Sequence, residues 1–425
     1  MRTLLSRTGF RRLLVGQGVS ALGDWMGTFA FIALVAHVTG SSTAVAGILV
    51  LRLLPAALAG PFSARLVHRW DRRRTMLAMD AARAAMIAVI PFVTALWWIY
   101  LWAFLIELAS LAFLPARDSS IPDLAGDDDL TLADGLVLGS SYGTIPVGAA
   151  LFAGLAAISI GDLGGPESNY ALVWWIDAAT YVVSFLFISR LTELREPDEE
   201  DMRPAGLRGS VQEHPGGAAS APSFRQAFRI PLVAAVMPST AGVALGLGAL
   251  FSLGIVFVRE TLSASDAEFG VLCALFGVGA GAGLGLLRAT GIQGIGAVRL
   301  GVALQGAVIA VMSLAPNVPV AFLGAVAFGG ATTVALTSGM SILQERLDGR
   351  ERVLAFAAFH VVIRFGLSLA AISAGISADV LDEVQWPVVG EIPSPRLVLF
   401  CSGIVVLISS RFVHGTSAAA DGTSS

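Results

Sequence analysis

The chain has 425 residues, of which 55% are hydrophobic and only 14% are charged. Soluble domains carry roughly 25% charged residues, so this composition excludes an ordinary soluble protein. The formal net charge of -4 says little, because in so apolar a chain the placement of charge matters more than its sum. Cys273 and Cys401 both fall inside long apolar stretches, so no disulfide framework is expected.

Long apolar stretches recur from Leu13 to Phe412, and roughly 20 apolar residues are enough to cross the hydrocarbon of a bilayer. Backbone polar groups cannot be left bare in lipid, so each stretch is predicted to be a helix. We therefore predict an all-α integral membrane protein with twelve transmembrane helices. The predicted spans are 13–38, 43–65, 75–97, 98–116, 132–160, 169–190, 231–258, 266–288, 296–315, 318–344, 352–378 and 394–412.

A polar segment separates the first six spans from the last six. Residues 191–230 open with an acidic run at 196–201 and continue rich in Pro, Gly, Ala and Ser. That composition cannot bury a core and predicts a flexible cytoplasmic linker. We therefore expect an N-terminal half at 1–190, a C-terminal half at 231–412 and a disordered tail at 413–425, with the two halves as pseudo-symmetric six-helix bundles.

The placement of arginine predicts the orientation, since all 27 basic residues are arginine. With a cytoplasmic N-terminus, 22 arginines lie on the cytoplasmic side, only Arg259 and Arg396 lie outside, and three fall within spans. This bias is a strong positive-inside signal, so both termini are predicted to be cytoplasmic. The absence of lysine and the abundance of Ala, Gly and Val suggest a GC-rich bacterial genome, so we expect a multi-pass protein of a bacterial cell membrane.

The loop after the second span carries a basic motif. It reads GPFSARLVHRWDRRR from Gly60 to Arg74. This motif resembles the helix 2–3 loop signature of the major facilitator superfamily, roughly G-x-x-x-D-R-x-G-R-R. Within that superfamily, Asp71-Arg72-Arg73-Arg74 is similar to the branch of macrolide-efflux and siderophore-export proteins. Fragments that are similar to the same branch occur along nearly the whole chain, at 23–24, 80–83, 121–124, 177–181 and 343–350.

Two positions depart from the pattern of the superfamily. His68 stands where the loop signature has an aspartate, so the acidic partner of the usual loop charge network is missing. Ile145-Pro146 replaces the glycine–proline pair of the exporter motif in the fifth span. The second departure weakens any antiporter inference drawn from that motif.

The resemblance implies a major facilitator fold, in which two halves surround a central cavity and give alternating access. It implies a secondary active transporter, and we predict a proton-coupled exporter of drug-like or amphipathic metabolites. No nucleotide-binding loop is present, so ATP is not the direct energy source. The only asparagines, Asn169 and Asn317, lie near span ends, and Gln17 and Gln305 are the clearest amides within spans. A cavity with so few amide side chains suits apolar or amphipathic cargo.

The resemblance also implies a gate at the inner face, next to the helix 2–3 loop. The residues assigned to this gate are His68, Arg69, Asp71, Arg72, Arg73, Asp80 and Arg83. Asp80 and Arg83 have the i,i+3 spacing of an ion pair that would brace the third span. His68 adds a pH-sensitive group, since histidine changes charge near neutrality. The alternative is that these arginines only anchor the loop on the cytoplasmic side.

Ionisable residues within the spans mark a candidate pathway, because each is costly in the bilayer unless it is paired or hydrated. Asp24, Arg52 and Glu107 share the membrane midplane by their distance from the span ends. The full set assigned to the substrate and proton pathway is Asp24, Arg52, Glu107, Asp177, His360 and Arg364. The alternative is a buried structural ion pair, such as Asp24 with Arg52.

Proton coupling is assigned from the same charges. Asp24 and Arg52 lie on consecutive spans at matched depth, so the simplest arrangement pairs them. Glu107 is then the predicted proton carrier, because desolvation penalises the charged form of a carboxylate. Asp177 is the alternative carrier, although its resemblance to a family-wide motif favours a structural role.

The eighth span contains glycine at every second position from Gly277 to Gly285. A dinucleotide-binding loop needs a preceding strand, which does not fit inside an apolar span. The spacing Gly277-x-x-x-Gly281-x-x-x-Gly285 is instead typical of close helix packing.

No protease or hydrolase motif occurs in a span, so we do not expect an enzyme, and we expect no cofactor, no metal and no nucleic-acid partner. The expected partners are a small-molecule substrate, protons and the lipid bilayer, with the chain acting as a monomer. Three alternatives stay open at this point: import, flipping of a lipid-like substrate, and a role as a non-transporting membrane assembly partner.

Overall fold

The computed structural model describes residues 2–52, 71–92, 95–126, 130–158, 170–191, 194, 224–292, 294–347, 349–382 and 392–413. Every regular element in these ranges is a helix, which confirms the all-α fold class. Within them, 11 helices are long and apolar enough to cross a membrane. A shorter apolar helix, Ser42–Arg52, lies where the second span is predicted, and the rest of that span lies outside the described residues.

The helices are numbered α1 to α16 in chain order. Their bounds are Arg2–Ser6, Thr8–Thr39, Ser42–Arg52, Arg72–Val89, Leu96–Asp118, Ile121–Ala125, Leu130–Tyr142, Ile145–Ala156, Ala171–Ile188, Phe224–Ala227, Pro231–Val256, Asp266–Thr290, Ile295–Ser313, Val318–Arg346, Gly349–Asp382 and Ser394–Ser409. A π-helical turn at Phe257–Thr261 continues α11.

The chain forms two compact units. The first consists of Met1–Val38 with Leu51–Gly217, and the second of Thr39–Val50 with Ala218–Ser425. In the first unit α4 packs against α5 and α9, and in the second α11 packs against α15 while α14 packs against α12 and α13. The predicted limits of the two halves stay a prediction. Of the predicted linker, the structure describes only the ends, where α10 forms.

Local capping signals fix several helix ends. Ser265 and Glu268 form a capping box at the start of α12, where the Ser265 amide donates to Glu268 Oε2 at 2.7 Å. The same helix ends at Gly291, whose φ of 63° lies in the left-handed region that glycine adopts without strain. The Asn317 side chain accepts from Val320 N at 3.2 Å at the start of α14.

The fifth span is broken, whereas the sequence predicted one continuous segment at 132–160. Helix α7 ends at Tyr142, and α8 begins at Ile145 with Pro146 in its first turn. Proline lacks an amide hydrogen and its ring clashes with the carbonyl four residues earlier, so a straight helix cannot run through this position. The prediction was therefore wrong in its continuity, although 135–156 is apolar enough to cross the membrane.

Glycines let α12 approach α14 closely, as predicted, but different glycines do so. A Cβ atom added at Gly283 would lie 2.6 Å from the Gly330 carbonyl oxygen, and one at Gly279 would collide with the backbone of Val326. Gly281 has open space around its Cβ position. The packing face is therefore the Gly279–Gly283 face, and the assignment to the Gly277–Gly281–Gly285 face was wrong, because residues two apart lie on different sides of a helix.

Candidate functional site

The buried charges of the first unit include an ion pair between Asp80 and Arg83. Both residues lie on α4 with the predicted i,i+3 spacing, and Arg83 Nη2 contacts Asp80 Oδ1. The two side chains are 0% and 4% exposed, so solvent screens the pair very little. The predicted role of this pair in gating stays a prediction.

Two further helices hold the Arg83 guanidinium. Its Cζ atom lies 4.4 Å from the ring centroid of Phe113 on α5 and 4.4 Å from that of Tyr181 on α9. Its Nη1 atom donates to Ser110 Oγ at 3.4 Å. Cation–π contacts of this kind contribute roughly 0.5–2 kcal/mol each. The guanidinium thus lies between two aromatic rings and also contacts a carboxylate and a hydroxyl.

Tyr181 connects this arrangement to Asp24 on α2. The Tyr181 side chain is fully buried, and its hydroxyl donates to Asp24 Oδ1. Asp24 is half-buried, and its backbone carbonyl accepts from Thr28 Oγ1 at 2.6 Å. A hydrogen bond to an ionised carboxylate is about twice as strong as one between neutral groups. Tyr181 therefore contacts the charged groups of two other helices at once.

Asp177 lies one turn before Tyr181 on α9 and is 1% exposed. Gly23 and Gly27 of α2 pack directly on it, since a Cβ atom added at either would collide with a carboxylate oxygen of Asp177. Asp177 Oδ1 has no hydrogen-bond partner among the described residues. Such a position within a span marks a candidate functional group. We call the group formed by Asp24, Asp80, Arg83, Asp177 and Tyr181 the charge cluster.

Arg52 and Glu107 complete the predicted charges of the first unit. Arg52 ends α3, and its Cζ atom lies 5.5 Å from the ring centroid of Phe31 on α2. Glu107 on α5 is half-buried and interacts with other groups. Among the described residues, Asp24 and Arg52 form no ion pair, contrary to the simplest predicted arrangement. The close approach of α9 to the glycine face of α2 gives Asp24 a partner in Tyr181 instead.

Arg72 connects the start of α4 to the end of α5. Its Nη1 atom donates to the Ser119 carbonyl at 2.6 Å, and its Nη2 atom pairs with Asp123 at 2.8 Å. A cationic side chain at the carboxyl end of a helix satisfies unpaired carbonyls and interacts favourably with the helix dipole. Arg72 therefore braces helices of its own unit.

The structure describes two of the remaining residues of the predicted gate. Arg73 Nη2 donates to the Ser189 carbonyl, one residue past the end of α9. The Asp71 side chain caps the first turn of α4. His68 and Arg69 lie outside the described residues. The gating role of the whole set stays a prediction.

His360 and Arg364, the predicted pathway residues of the second unit, both lie on α15. His360 is exposed, and its ring centroid lies 5.9 Å from that of Phe359. Arg364 is half-buried, and its backbone carbonyl accepts from Ser368 Oγ at 2.9 Å. Neither side chain forms an ion pair within the part of the chain that the structure describes. Their assignment to the pathway stays a prediction.

The start of α3 is held by a carboxylate from α15, which the sequence did not reveal. Asp379 accepts from Ser41 Oγ at 2.6 Å, from Ser42 N at 2.8 Å and from Thr43 N at 3.0 Å. All four residues belong to the second unit. A carboxylate at a helix start satisfies unpaired amides and complements the positive end of the helix dipole.

Tyr181 is the functional candidate that sequence reasoning missed. It was noted within the motif Asp177-Ala178-Ala179-Thr180-Tyr181 but was given no role of its own. Its position four residues after a carboxylate in a span was the available signal, since such residues share a helix face. The partner across the helix interface could not be identified from spacing within one span.

Eleven apolar helices among the described residues, with a charge cluster inside the spanning part of the first unit, define a polytopic membrane protein with ionisable groups of the kind that transporters use. A family model described as Major Facilitator Superfamily matches residues 13–286. That match covers more than half of the chain, so the chain belongs to the Major Facilitator Superfamily. The predicted family is therefore confirmed.

Two curated relatives match parts of the chain. The uncharacterized MFS-type transporter YfiS of Bacillus subtilis (strain 168) is 31% identical over 121 residues, which are 28% of this chain and 29% of the relative. Macrolide efflux protein A of Streptococcus pyogenes is 28% identical over 150 residues, or 33% of this chain and 37% of the relative. The chain thus matches well under half the length of these relatives.

Solved transporter structures share the fold over nearly the whole chain. A bacterial homologue of the human lysosomal transporter Spinster, in an inward-facing and unoccupied conformation, has a TM-score of 0.73 at 16% identity, covering 95% of both chains. The nucleoside transporter NupG has a TM-score of 0.69 at 13% identity and covers 95% of this chain and 98% of its own. A bacterial homologue of the iron transporter ferroportin has a TM-score of 0.67 at 13% identity, covering 96% and 99%. At these identities the likeness establishes the fold alone.

Proposed function

We propose that the chain is a proton-coupled exporter of drug-like or amphipathic small molecules that works by alternating access. The observation that carries the proposal is the charge balance inside the first unit. Away from the ends of the predicted spans, the described residues of the first unit include four carboxylates, Asp24, Asp80, Glu107 and Asp177, but two cations, Arg52 and Arg83. Ionised carboxylates are costly at membrane depth unless balanced, so protons or a cationic cargo would complete the balance.

Asp24 is the carboxylate best placed to exchange its proton. The charge of Asp80 is met by Arg83, and Asp177 is enclosed by the glycine face of α2. Asp24 is half-buried, and its side chain accepts from a hydroxyl rather than from a cation. We therefore place the coupled proton on Asp24 and keep Glu107 as the competing candidate. This reverses the assignment drawn from the sequence.

The contacts of the two glutamine side chains within the spans indicate the class of cargo. Gln17 Oε1 accepts from Arg117 Nη1 at 3.2 Å, and Gln305 Nε2 donates to Thr332 Oγ1 at 3.0 Å. Both glutamines are buried in helix contacts, with Gln17 Nε2 and Gln305 Oε1 left without a hydrogen-bond partner among the described residues, so neither is exposed to a hydroxyl-rich substrate. Apolar or amphipathic cargo is consistent with this interior. The relatives named for macrolide efflux support export.

We further propose that the protein acts as a monomer in a bacterial cell membrane with both termini cytoplasmic. The arginine distribution supports this orientation, with 22 arginines on the side of the termini. Labelling of an N-terminal cysteine by an impermeant maleimide from outside intact cells would contradict it. The molar mass of the purified protein in detergent, measured by light scattering, tests whether it is a monomer.

The test is transport by purified full chain in proteoliposomes under a pH gradient. The probes are ethidium, an amphipathic cation, and a radiolabelled macrolide. Wild type and the exposed control Glu345→Gln should move at least one probe in response to the gradient, whereas Asp24→Asn should bind the probe but lose the response. A gradient response that survives in Asp24→Asn and disappears in Glu107→Gln would move the coupled proton to Glu107. No gradient-driven flux of either probe in wild type would contradict the proposed function.

A further inference from the structure

Tyr181 contacts two charged residues of the charge cluster, Asp24 and Arg83, which lie on different helices. Its hydroxyl donates to Asp24 Oδ1 on α2. The face of its ring lies 4.4 Å from Arg83 Cζ on α4. Because it is fully buried, it cannot leave one contact without changing how it packs against the other.

The opposite side of Arg83 provides a matched reference. The Phe113 ring on α5 lies 4.4 Å from the same Cζ atom, at the distance of the Tyr181 ring. Phe113 carries no hydroxyl, and no hydrogen bond or charge contact joins it to Asp24 among the described residues. Two aromatic rings therefore hold the guanidinium equally closely, but only one of them also contacts the proposed proton site.

We propose that Tyr181 is a positioning residue of the transport cycle, which holds ionised Asp24 in the charge cluster and transmits its protonation to α4. This inference rests on the proposed function above. When Asp24 takes a proton from the pathway, Tyr181 keeps its own proton, and its bond changes from a charge-assisted one to a neutral one of about half the strength. The ring is then held less firmly on α2 and can shift against Arg83. Since α4 also carries Arg72 and Arg73, its displacement would reach the contacts at the inner ends of α5 and α9.

Charged and titratable groups reach the surroundings of Asp24 from three packed helices. Tyr181 and Asp177 face it from α9, Asp80 and Arg83 act on it from α4, and Arg52 of α3 contacts α2 at Phe31 and acts on Asp177. Helix α8, which packs on α2 through Gly148, carries no titratable residue. Removal of the Tyr181 hydroxyl therefore changes one donor to Asp24 and leaves the surrounding charges as they were.

The experiment compares Tyr181→Phe with Phe113→Leu in the purified full chain. Ethidium transport in proteoliposomes is followed over a series of pH values, and the carboxyl band of Asp24 is titrated by infrared difference spectroscopy, with Asp24→Asn to assign the band. Tyr181→Phe should move both midpoints to about tenfold lower proton concentration, the effect of losing one charge-assisted donor. Phe113→Leu should lower thermal stability and leave both midpoints unchanged.

A second variant separates the effect of the Tyr181 hydroxyl from an effect of misfolding. Fluorotyrosine at position 181 keeps the shape of the side chain and makes its hydroxyl a stronger donor, so both midpoints should move to higher proton concentration. Unchanged infrared midpoints in Tyr181→Phe and in the fluorotyrosine protein would reduce Tyr181 to packing and overturn the proposal. The infrared titration needs no cargo, so a shifted band without gradient-driven flux in wild type would support the positioning role while contradicting the proposed function.

Discussion

Replacement of Arg83 by methionine should destabilise the first unit by about 3–5 kcal/mol, because it leaves a buried carboxylate without its cation. The structure supplies the reason, since Asp80 is 0% exposed and its ion-pair partner is Arg83. Loss of the two cation–π contacts adds roughly 1–4 kcal/mol, which the apolar methionine side chain offsets in part. By contrast, Asp118→Ala should cost less than about 1 kcal/mol, since that carboxylate is 56% exposed.

The assay is unfolding of the purified protein in mixed micelles, followed by tryptophan fluorescence as denaturing detergent is added. The double variant Asp80→Leu/Arg83→Met removes both charges and should recover most of the lost free energy of unfolding, because a buried pair can be replaced by apolar groups at little cost. Equal stability of Arg83→Met and wild type would refute the argument. So would a double variant that is as unstable as the sum of its single replacements.

Three further replacements test separate contacts. Gly279→Leu should prevent the close approach of α12 to α14 and lower the melting temperature. Gly281→Leu, on the open face, should leave the melting temperature unchanged. Equal effects of the two replacements would contradict the assigned packing face. Asp379→Ala removes the cap of α3 and should lower the free energy of unfolding by about 0.5–2 kcal/mol. The control Asp382→Ala, at an exposed carboxylate, should leave it unchanged. An unchanged free energy of unfolding in Asp379→Ala would show that the cap is dispensable. Arg72→Gln should slow transport while the amount of inserted protein stays the same, and an unchanged rate would leave Arg72 as a topology signal alone.

The spans could be predicted from the sequence because the bilayer sets their length and excludes most charge. Helix α9, Ala171–Ile188, lies within the predicted span 169–190, and α13, Ile295–Ser313, agrees with 296–315 to within two residues. The break before Ile145 was missed although Pro146 was visible in the sequence. Apolar composition alone reported that segment as continuous, and the local effect of proline decided its conformation.

The partners of the buried charges could not be predicted in the same way. Depth along a span follows from the helical rise, so Asp24 and Arg52 were predicted at matched depth and paired, but the structure forms no ion pair between them. Which partner Asp24 meets depends on how α2 is rotated about its axis. Gly23 and Gly27 determine that rotation by letting α9 approach, and the contact with Tyr181 follows from it. The predicted packing face of the eighth span was wrong for the same reason, since glycine at every second position is compatible with packing on either face of the helix.

We propose that cargo and proton exchange at Asp24 in the charge cluster. This exchange is measured by adding ethidium to the purified protein in weakly buffered detergent solution and recording the proton release with a pH electrode. Wild type should release protons as the probe binds, and the release should disappear above the pH at which Asp24 is already ionised. Asp24→Asn should bind the probe by fluorescence without releasing protons. Equal proton release from Asp24→Asn and wild type would show that Asp24 is not the site of this exchange.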